Sequence, residues 1–247
     1  MRSNPTSRTR LFVDGVYETG ARLSVGGSDA HKLRDVLRLQ SGDAIEIVDS
    51  AASCFDARLE LNGHEVFAQL LRKHDPAVAT TLCIDVAQGV PKGQKMDFVV
   101  EKLTELGVNA IVPLQSERAI VRDPGEGKVE RWRRLARTAA QQCGRTALPV
   151  ITGPESFDGL LTRFADYAAV LFPWELAEAR PLREALAALP AGRILVVVGP
   201  EGGFSHEEAE RAQAAGARLV SLGSRILRTE TAALVAVVAL QYQAGHL

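Results

Sequence analysis

The chain has few of the residues from which disulfide frameworks and metal centres are built. Its 247 residues include 3 cysteines and 5 histidines. Cys54, Cys83 and Cys143 are far apart and form no Cys-x-x-Cys pair, and an odd, scattered set is typical of a reducing compartment. The ligand spacing of a zinc site is also missing. We therefore expect no disulfide and no metal.

Neither sign of charge dominates the chain. The formal net charge is -1 and 24% of the residues are charged, which excludes a strongly basic nucleic-acid coat but leaves room for a local basic patch. No apolar run approaches membrane-spanning length, and residues 1–10 are polar, without the apolar segment of a secretory signal. We expect a cytoplasmic protein with no membrane partner.

Three common catalytic and phosphate-binding motifs are absent from the sequence. It contains no Gly-x4-Gly-Lys-Ser/Thr loop, no Gly-x-Gly-x-x-Gly after the first strand of the α/β region and no Gly-x-Ser-x-Gly. Residues 89–93 have the composition of a phosphate loop without its spacing. We interpret them as a connection in which Lys92 or Lys95 could contact a phosphate. Nucleotide, nicotinamide and serine-hydrolase chemistry are therefore disfavoured.

The most informative stretch begins with an apolar, β-branched run at 194–198, which predicts a strand buried on both faces. Gly199-Pro200-Glu201-Gly202-Gly203 follows, a loop that must turn sharply or approach another group closely. Ser205 is the expected N-cap of a helix that ends near Gly216.

A second unit of the same kind completes the stretch. We predict a strand over 218–222, a loop over 223–228, and a last helix that is apolar on all sides and has Thr229 or Thr231 as its N-cap. In open α/β sheets, ligands bind at the carboxyl ends of strands. Two glycine-bearing loops after two neighbouring strands therefore predict a ligand pocket.

The rest of the chain separates into a β-rich part and an α/β part. For the first we predict a helix over 28–39, a hairpin turn at Asn62-Gly63, and strands over 11–13, 44–48, 55–61 and 65–71. We place the domain boundary within 74–80. For the second we predict strands over 82–87, 110–114 and 168–172 and helices over 92–106, 128–143 and 182–189.

Several candidate residues allow two interpretations of their role. Arg225 and Arg228 are either solvated or placed for bidentate phosphate or base contacts. Glu201 and Glu230 could each act as a base or an orienting group, although Glu230 could also be a favourable charge at a helix start. The arginines of residues 128–145 form either a solvated face or a phosphate-binding stripe, and Cys143 is more simply a buried thiol than a nucleophile.

Taken together, these motifs resemble one known family. The similarity lies in residues 10–12, 31–38, 88–97, 101–107, 116–118, 141–145, 199–203 and 222–231. The chain resembles the SPOUT superfamily of S-adenosylmethionine-dependent RNA methyltransferases, and more closely the family that methylates N3 of a uridine in bacterial 16S ribosomal RNA (RsmE type). The resemblance implies an α/β fold with an N-terminal PUA-like β-barrel domain (1–75) and a C-terminal trefoil-knotted SPOUT domain (76–247).

The same resemblance implies roles for individual residues and partners. The cofactor, S-adenosyl-L-methionine, would be bound by Phe172, Gly199, Pro200, Glu201, Gly202, Leu222, Gly223, Ile226, Leu227 and Ala232. The catalytic candidates are Arg228, Glu230 and Glu201. RNA contacts would come from Arg10, Arg34, Arg38, Arg118, Arg131, Arg134 and Arg145. The partners would be the 16S RNA of the small ribosomal subunit and a second copy of the chain, because the active site of this superfamily forms at a homodimer interface.

A second class of function remains open at this point. The chain could be a non-catalytic ribosome-assembly factor that binds RNA and retains the knotted fold. Such a module would have no need of a cofactor pocket, so cofactor binding discriminates between the two.

Overall fold

A computed structural model describes residues 9–74, 82–121, 123–175, 179–187 and 189–247. The chain divides into two compact units, Met1–Ala79 with Ala140–Ala147, and Thr80–Ala139 with Leu148–Leu247. Beyond His74, the segment in which we expected the domain boundary lies outside the described residues. None of the helices in the described part combines the length and the apolar character needed to cross a membrane.

The first unit is built on a five-stranded sheet with the strand order β1-β3-β4-β5-β2. Its core contains apolar side chains from all five strands, including Leu11, Ile47 and Phe55, together with Leu33. A π-helical turn, Lys32–Val36, follows the short helix. The elements are β1 (Arg10–Phe12), β2 (Arg22–Val25), α1 (Gly27–His31), β3 (Ala44–Val48), β4 (Cys54–Asn62) and β5 (Glu65–His74).

Two local predictions for this unit were wrong. The helix predicted over 28–39 ends at 36, because Val36 and Leu37 are exposed and their apolar stripe has nothing to pack against. The helix begins at Gly27, with Gly26 as its N-cap. The hairpin turn consists of residues 63 and 64, since Asn62 already pairs with Glu65. Strand β2 was missed because its alternation covers only four residues.

The second unit alternates strands and helices along the chain, as predicted. A 3-10 turn, Phe164–Asp166, follows its third helix. The elements are β6 (Cys83–Gly89), α2 (Lys95–Glu105), β7 (Ala110–Gln115), α3 (Glu126–Cys143), β8 (Val150–Ile151), β9 (Glu155–Ser156), α4 (Phe157–Thr162), β10 (Ala169–Pro173), β11 (Arg180–Pro181), α5 (Leu182–Ala187), β12 (Arg193–Val198), α6 (His206–Ala214), β13 (Arg218–Ser221) and α7 (Thr229–Gln243).

These strands form an eight-stranded parallel sheet between two apolar layers. The order is β11-β13-β10-β12-β6-β7-β8, and β9 also pairs with β7. On β12, Ile194, Val196 and Val198 join one core cluster, while Leu195 and Val197 join the other. Successive side chains of a strand point to opposite faces, so the continuous apolar run is buried on both sides. The prediction for this strand is confirmed.

Two details at the end of the chain differ from the sequence-based prediction. Strand β10 lies between β12 and β13, so the two strands that precede the glycine-bearing loops are not neighbours. The N-cap of α7 is Arg228, and Thr229 is the first helical residue, because its hydroxyl is used elsewhere. By contrast, Ser205 caps α6 as predicted and forms a reciprocal capping box with Glu208.

Candidate active site

A cavity of about 670 Å³ lies at the carboxyl ends of β10, β12 and β13. Ligands of open α/β sheets bind at this edge of the sheet. The loop after each of the three strands contributes to the wall, α2 adds Lys95, and α7 adds Thr229 and Ala232. The lining consists of Lys95, residues 173–175, 198–204 and 221–229, and Ala232.

Residues 199–203, which we call the glycine loop, lie against the end of β6. A Cβ atom on Gly89 would lie 2.4 Å from the backbone nitrogen of Pro200 and 2.8 Å from the carbonyl carbon of Gly199. No side chain fits in that space, so only glycine allows the two backbones to approach this closely. Gly203 has a φ of 65°, a left-handed conformation that glycine adopts without strain.

Buried side-chain hydrogen bonds hold the beginning of the glycine loop. The hydroxyl of Thr229 donates to the carbonyl oxygen of Gly199. Nε2 of Gln88, which is fully buried at the end of β6, donates to Oγ1 of Thr229 at 2.7 Å and to the carbonyl oxygen of Gly89 at 3.0 Å. A hydrogen-bonded relay therefore connects β6, α7 and the glycine loop, and its members lie 141 residues apart in sequence.

Glu201 holds the middle of the glycine loop. Its carboxylate accepts hydrogen bonds from Nζ of Lys95 at 2.7 Å and from the backbone N–H of Lys92 at 3.1 Å. Burial acts to raise the pKa of this carboxyl, but these hydrogen bonds outweigh it, so the pKa is lowered from its ordinary value. Glu201 is therefore a charged anchor and a weak proton acceptor.

Residues 222–228, which we call the arginine loop, form the opposite wall and are far more open. Arg225 and Arg228 are exposed, and the Ile226 residue is 89% exposed. Leu222 and Leu227 are partly buried and pack against the core cluster that contains α7. This wall therefore presents two cations and one apolar side chain to the outside, while two leucines hold it in place.

The structure brings most of the predicted cofactor and catalytic residues together. The predicted residues that line the cavity are Gly199, Pro200, Glu201, Gly202, Leu222, Gly223, Ile226, Leu227, Arg228 and Ala232. Phe172 does not line it, because it is fully buried behind the wall, 4.4 Å from Phe204 between ring centroids. Glu230 also lies outside the lining, in the first turn of α7. Its Oε2 atom is buried and has no hydrogen-bond partner among the described residues.

Comparison with known proteins identifies the family. A family model described as an RNA methyltransferase domain matches residues 79–241. The chain belongs to the RNA methyltransferase family. It is 32% identical to the ribosomal RNA small subunit methyltransferase E of Bacillus subtilis, over 92% of each chain. The matched segment contains every residue that lines the cavity.

Solved structures of similar proteins support the same assignment. A ribosomal RNA small subunit methyltransferase E from Neisseria gonorrhoeae, bound to S-adenosyl methionine, is 30% identical with a TM-score of 0.86, covering 96% of this chain and 98% of that one. A Legionella pneumophila protein in complex with the cofactor SAM is 30% identical with a TM-score of 0.87, at the same coverages. The RNA methyltransferase fold thus extends over nearly the whole chain.

The arginines predicted to contact RNA in this RNA methyltransferase differ in their surroundings. In the first unit, Arg10 forms an ion pair with Glu46 at 2.7 Å and also donates to the carbonyl oxygen of Gly144. Arg34 pairs with Asp35 at 2.7 Å. Arg38 is exposed. Arg145 is partly buried, which lowers its pKa from the ordinary value.

The second unit holds the other three predicted arginines. Arg131 pairs with Asp97 at 2.6 Å, and Arg118 donates to the carbonyl oxygen of Gly202 at 3.4 Å. Arg134 is exposed on α3. Arg118 therefore contacts the glycine loop directly.

Three residues that hold the glycine loop of the RNA methyltransferase cavity were not predicted from the sequence to belong to the cofactor site. Lys95 was considered only as a phosphate contact, Thr229 only as a helix cap, and Gln88 only as part of a motif. Each meets a partner far away in sequence, so no local pattern marks it. The one available signal was the small loop at 89–93, whose glycine and proline indicate a close backbone approach.

Proposed function

We propose that the protein transfers a methyl group from S-adenosyl-L-methionine to N3 of a specific uridine in 16S ribosomal RNA of the small subunit. The observation that carries this is the cavity between the glycine loop and the arginine loop. Its lining lies in a chain that is 32% identical to a ribosomal RNA small subunit methyltransferase E. A non-catalytic assembly factor would have no use for such a cavity, so we favour the enzyme.

The cavity suits the proposed cofactor in size and chemistry. Its volume of about 670 Å³ is in the range of small-molecule sites. Leu222, Ile226 and Leu227 offer apolar contacts for an adenine ring, and the glycine loop presents its backbone to the same cavity. When bound, S-adenosyl-L-methionine supplies a methyl group that is already activated as a sulfonium.

In this proposal, the chain's own residues align the acceptor and stabilise its charge. N3 of uracil carries a proton and lies on the Watson–Crick edge, so the base must be unpaired or flipped out to be reached. Removal of the proton leaves negative charge on the ring. Arg228 is exposed in the cavity wall and is our candidate to stabilise that charge.

Two carboxylates are candidates for handling the proton. Glu201 is bonded to Lys95 and has a lowered pKa, which makes it a weak base, so we assign it to holding the loop. Glu230 has a buried carboxylate oxygen without a hydrogen-bond partner in the described part of the chain. We therefore assign Glu230 the role of orienting the acceptor or accepting its proton.

The finer architecture is also a proposal. We take the first unit as a PUA-like β-barrel and the second as a trefoil-knotted SPOUT domain that forms a homodimer. Val235, Val238 and Tyr242 are exposed on one face of α7, at helical spacing, which supports a second copy covering that face. RNA phosphates would be held by arginines of both units, and the setting would be the cytoplasm.

The test is nucleoside mass spectrometry of 16S ribosomal RNA from cells with and without this gene. Loss of 3-methyluridine, restored by the wild type but not by Arg228→Ala, is the expected result. If 3-methyluridine is unchanged, the substrate is wrong, and another missing methylated nucleoside in the same data would name the correct one. If no methylated nucleoside changes and calorimetry detects no S-adenosyl-L-methionine binding, the assembly factor is the better description.

A further inference from the structure

The face of the first unit's sheet that is turned away from its main core carries a cluster of metal-ligating side chains. Glu46 on β3, Cys54 on β4 and His74 on β5 each offer one ligand atom, and these atoms all lie within 4.8 Å of one another. None of the three lines the cavity. Their spacing in sequence matches no zinc motif, so no local pattern predicts a metal here.

Strand register explains why these distant residues meet. Cys54 is directly opposite His74 across the β4–β5 pair, and two residues further along β4, Asp56 is opposite Glu46 on β3. Cross-strand partners and residues two apart on a strand share one face of a sheet. Three adjacent strands therefore present their side chains to a single point, on elements that are already hydrogen-bonded to one another.

The polar atoms of the cluster are only partly used by protein contacts. Nε2 of His74 is buried and lacks a hydrogen-bond partner within the described residues, and it lies 3.8 Å from Oδ1 of Asp56. Both hydrogen bonds from Arg10 to Glu46 end on the same oxygen, Oε2. The cluster thus combines a buried imidazole nitrogen that lacks a donor or acceptor with a carboxylate held from one side.

Cys54 supplies the sulfur ligand. The residue is 1% exposed, and its burial raises the pKa of the thiol, with a further contribution in the same direction from the Glu46 carboxylate. A divalent cation coordinates the thiolate and displaces the thiol proton to solvent. Sulfur, imidazole nitrogen and carboxylate oxygen together are a donor set that zinc accepts in tetrahedral geometry.

The distances are compatible with such a centre. Ligand atoms around a tetrahedral zinc are about 3.3 to 3.8 Å apart, given metal–ligand bonds of about 2.0 to 2.3 Å. The ligand atoms of the cluster lie within 4.8 Å of one another, so coordination requires them to move closer by about 1 Å. Asp56 has one oxygen, Oδ1, at 3.8 Å from Nε2 of His74, while its Oδ2 accepts hydrogen bonds from Arg72, so Oδ1 is our candidate for the fourth ligand atom.

We propose that Glu46, Cys54 and His74 form a zinc site, with Asp56 as the fourth ligand, that ties together β3, β4 and β5 of the first unit. Its role is structural. The ion coordinates the buried Nε2 atom of His74, which has no hydrogen-bond partner among the described residues, and links β5 to β3 and β4. It is independent of methyl transfer, so the failure of either proposal leaves the other intact.

The experiment uses the full-length protein, treated with a chelator and then titrated with CoCl2 and ZnCl2. We expect one cobalt ion per chain with a thiolate-to-cobalt absorption band, which zinc abolishes by displacement. Cys54→Ser should remove the band, and His74→Gln should weaken zinc affinity by at least about tenfold. Cys143→Ser and His64→Gln, which alter exposed residues of the same types, should leave both unchanged.

The outcomes that overturn the proposal are equally definite. The site does not exist if the wild type binds neither ion at micromolar concentration, or if folded His74→Gln keeps full zinc affinity. Loss of the cobalt band in Cys143→Ser would place the metal elsewhere. Cys54→Ser changes a buried position, and its folding is checked by circular dichroism. If Cys54→Ser does not fold, the zinc affinity of His74→Gln decides whether the site exists.

Discussion

The two walls of the cavity differ in how firmly they are held and in how exposed they are. The glycine loop is fixed by a close backbone contact with Gly89, by the Gln88–Thr229 relay and by the ion pair of Glu201 with Lys95. The arginine loop is exposed over much of its length and is held by two partly buried leucines. A fixed wall suits a cofactor that is always the same. In our proposal, the leucines of the open wall contact the cofactor, and its two exposed arginines suit a large RNA that must enter and leave.

The largest expected effect concerns chemistry at the open wall. Arg228→Ala should lower the rate of methyl transfer by about 100-fold to 1000-fold, the usual cost of losing one stabilising donor, because we assign Arg228 to offset the charge of the deprotonated uracil. Cofactor affinity, measured by calorimetry, should change by less than about twofold, since a catalytic contact made only with the reacting base adds nothing to ground-state cofactor binding.

Arg225→Ala is the matched control for this prediction. It removes an equally exposed arginine from the same loop, and we expect its effect on the rate to be much smaller. Equal losses of rate and cofactor affinity in Arg228→Ala would make Arg228 a cofactor-binding residue. Its assignment to the reacting base would then be wrong.

The second prediction tests the fixed wall. In Gly89→Ala, the new Cβ meets the backbone of residues 199 and 200, which cannot move away as a flexible side chain could. We expect a loss of about 3 kcal/mol in the free energy of unfolding and a large loss of cofactor affinity. Gly153→Ala is the control, because a Cβ there meets nothing within 4 Å. Gly89→Ala with wild-type stability would mean that the two backbones are not in close contact.

The third prediction addresses the relay inside the fixed wall. Thr229→Val keeps the shape of the side chain but leaves the carbonyl oxygen of Gly199 without its donor. A buried polar group without its partner costs about 1–3 kcal/mol, which should appear in urea unfolding. Cofactor affinity should fall while the rate at saturation changes little. Thr231→Val, at an exposed position of the same helix, should change neither the free energy of unfolding nor the cofactor affinity. Equal effects in the two variants would exclude a role for the relay.

The sequence predicted the strand and the helix on either side of the glycine loop, but not the contacts that hold this loop in place. An apolar, β-branched run is sufficient to predict β12, and the Ser205 capping box is a local signal that survives in the structure. The placement of β10 between β12 and β13 depends on the order of strands in the sheet, which no local pattern encodes. The contacts of Gln88 and Lys95 join residues more than 100 positions apart, so chain geometry alone brings them together.

The same limit explains the errors in the first unit. Leu33, Val36 and Leu37 have helical spacing, but only Leu33 is buried, and a stripe that nothing covers does not sustain a long helix. Glu46, Cys54 and His74 were unremarkable in sequence and meet only through the register of three strands. Local patterns therefore predict elements, while sites assembled from several strands need the structure.

The smallest effect concerns the charge that holds the glycine loop. Glu201→Gln keeps a hydrogen-bond acceptor for Lys92 but removes the ion pair with Lys95, whose side chains are 29% and 37% exposed. Pairs that exposed are screened by water, so the loss should be about 0.2–1 kcal/mol at neutral pH. Because the pKa of Glu201 is lowered in the folded protein, this stability is present above the ordinary carboxyl pKa of about 4.3 and disappears as the pH falls through the folded value. The wild type should therefore be more stable than Glu201→Gln by a constant amount from neutral pH down to about 4.3, and this difference in the free energy of unfolding should vanish at lower pH. Glu117→Gln, which removes an exposed carboxylate, should be as stable as the wild type throughout. A difference that persists at the lowest pH would mean that the shape of the residue, and not its charge, fixes the wall.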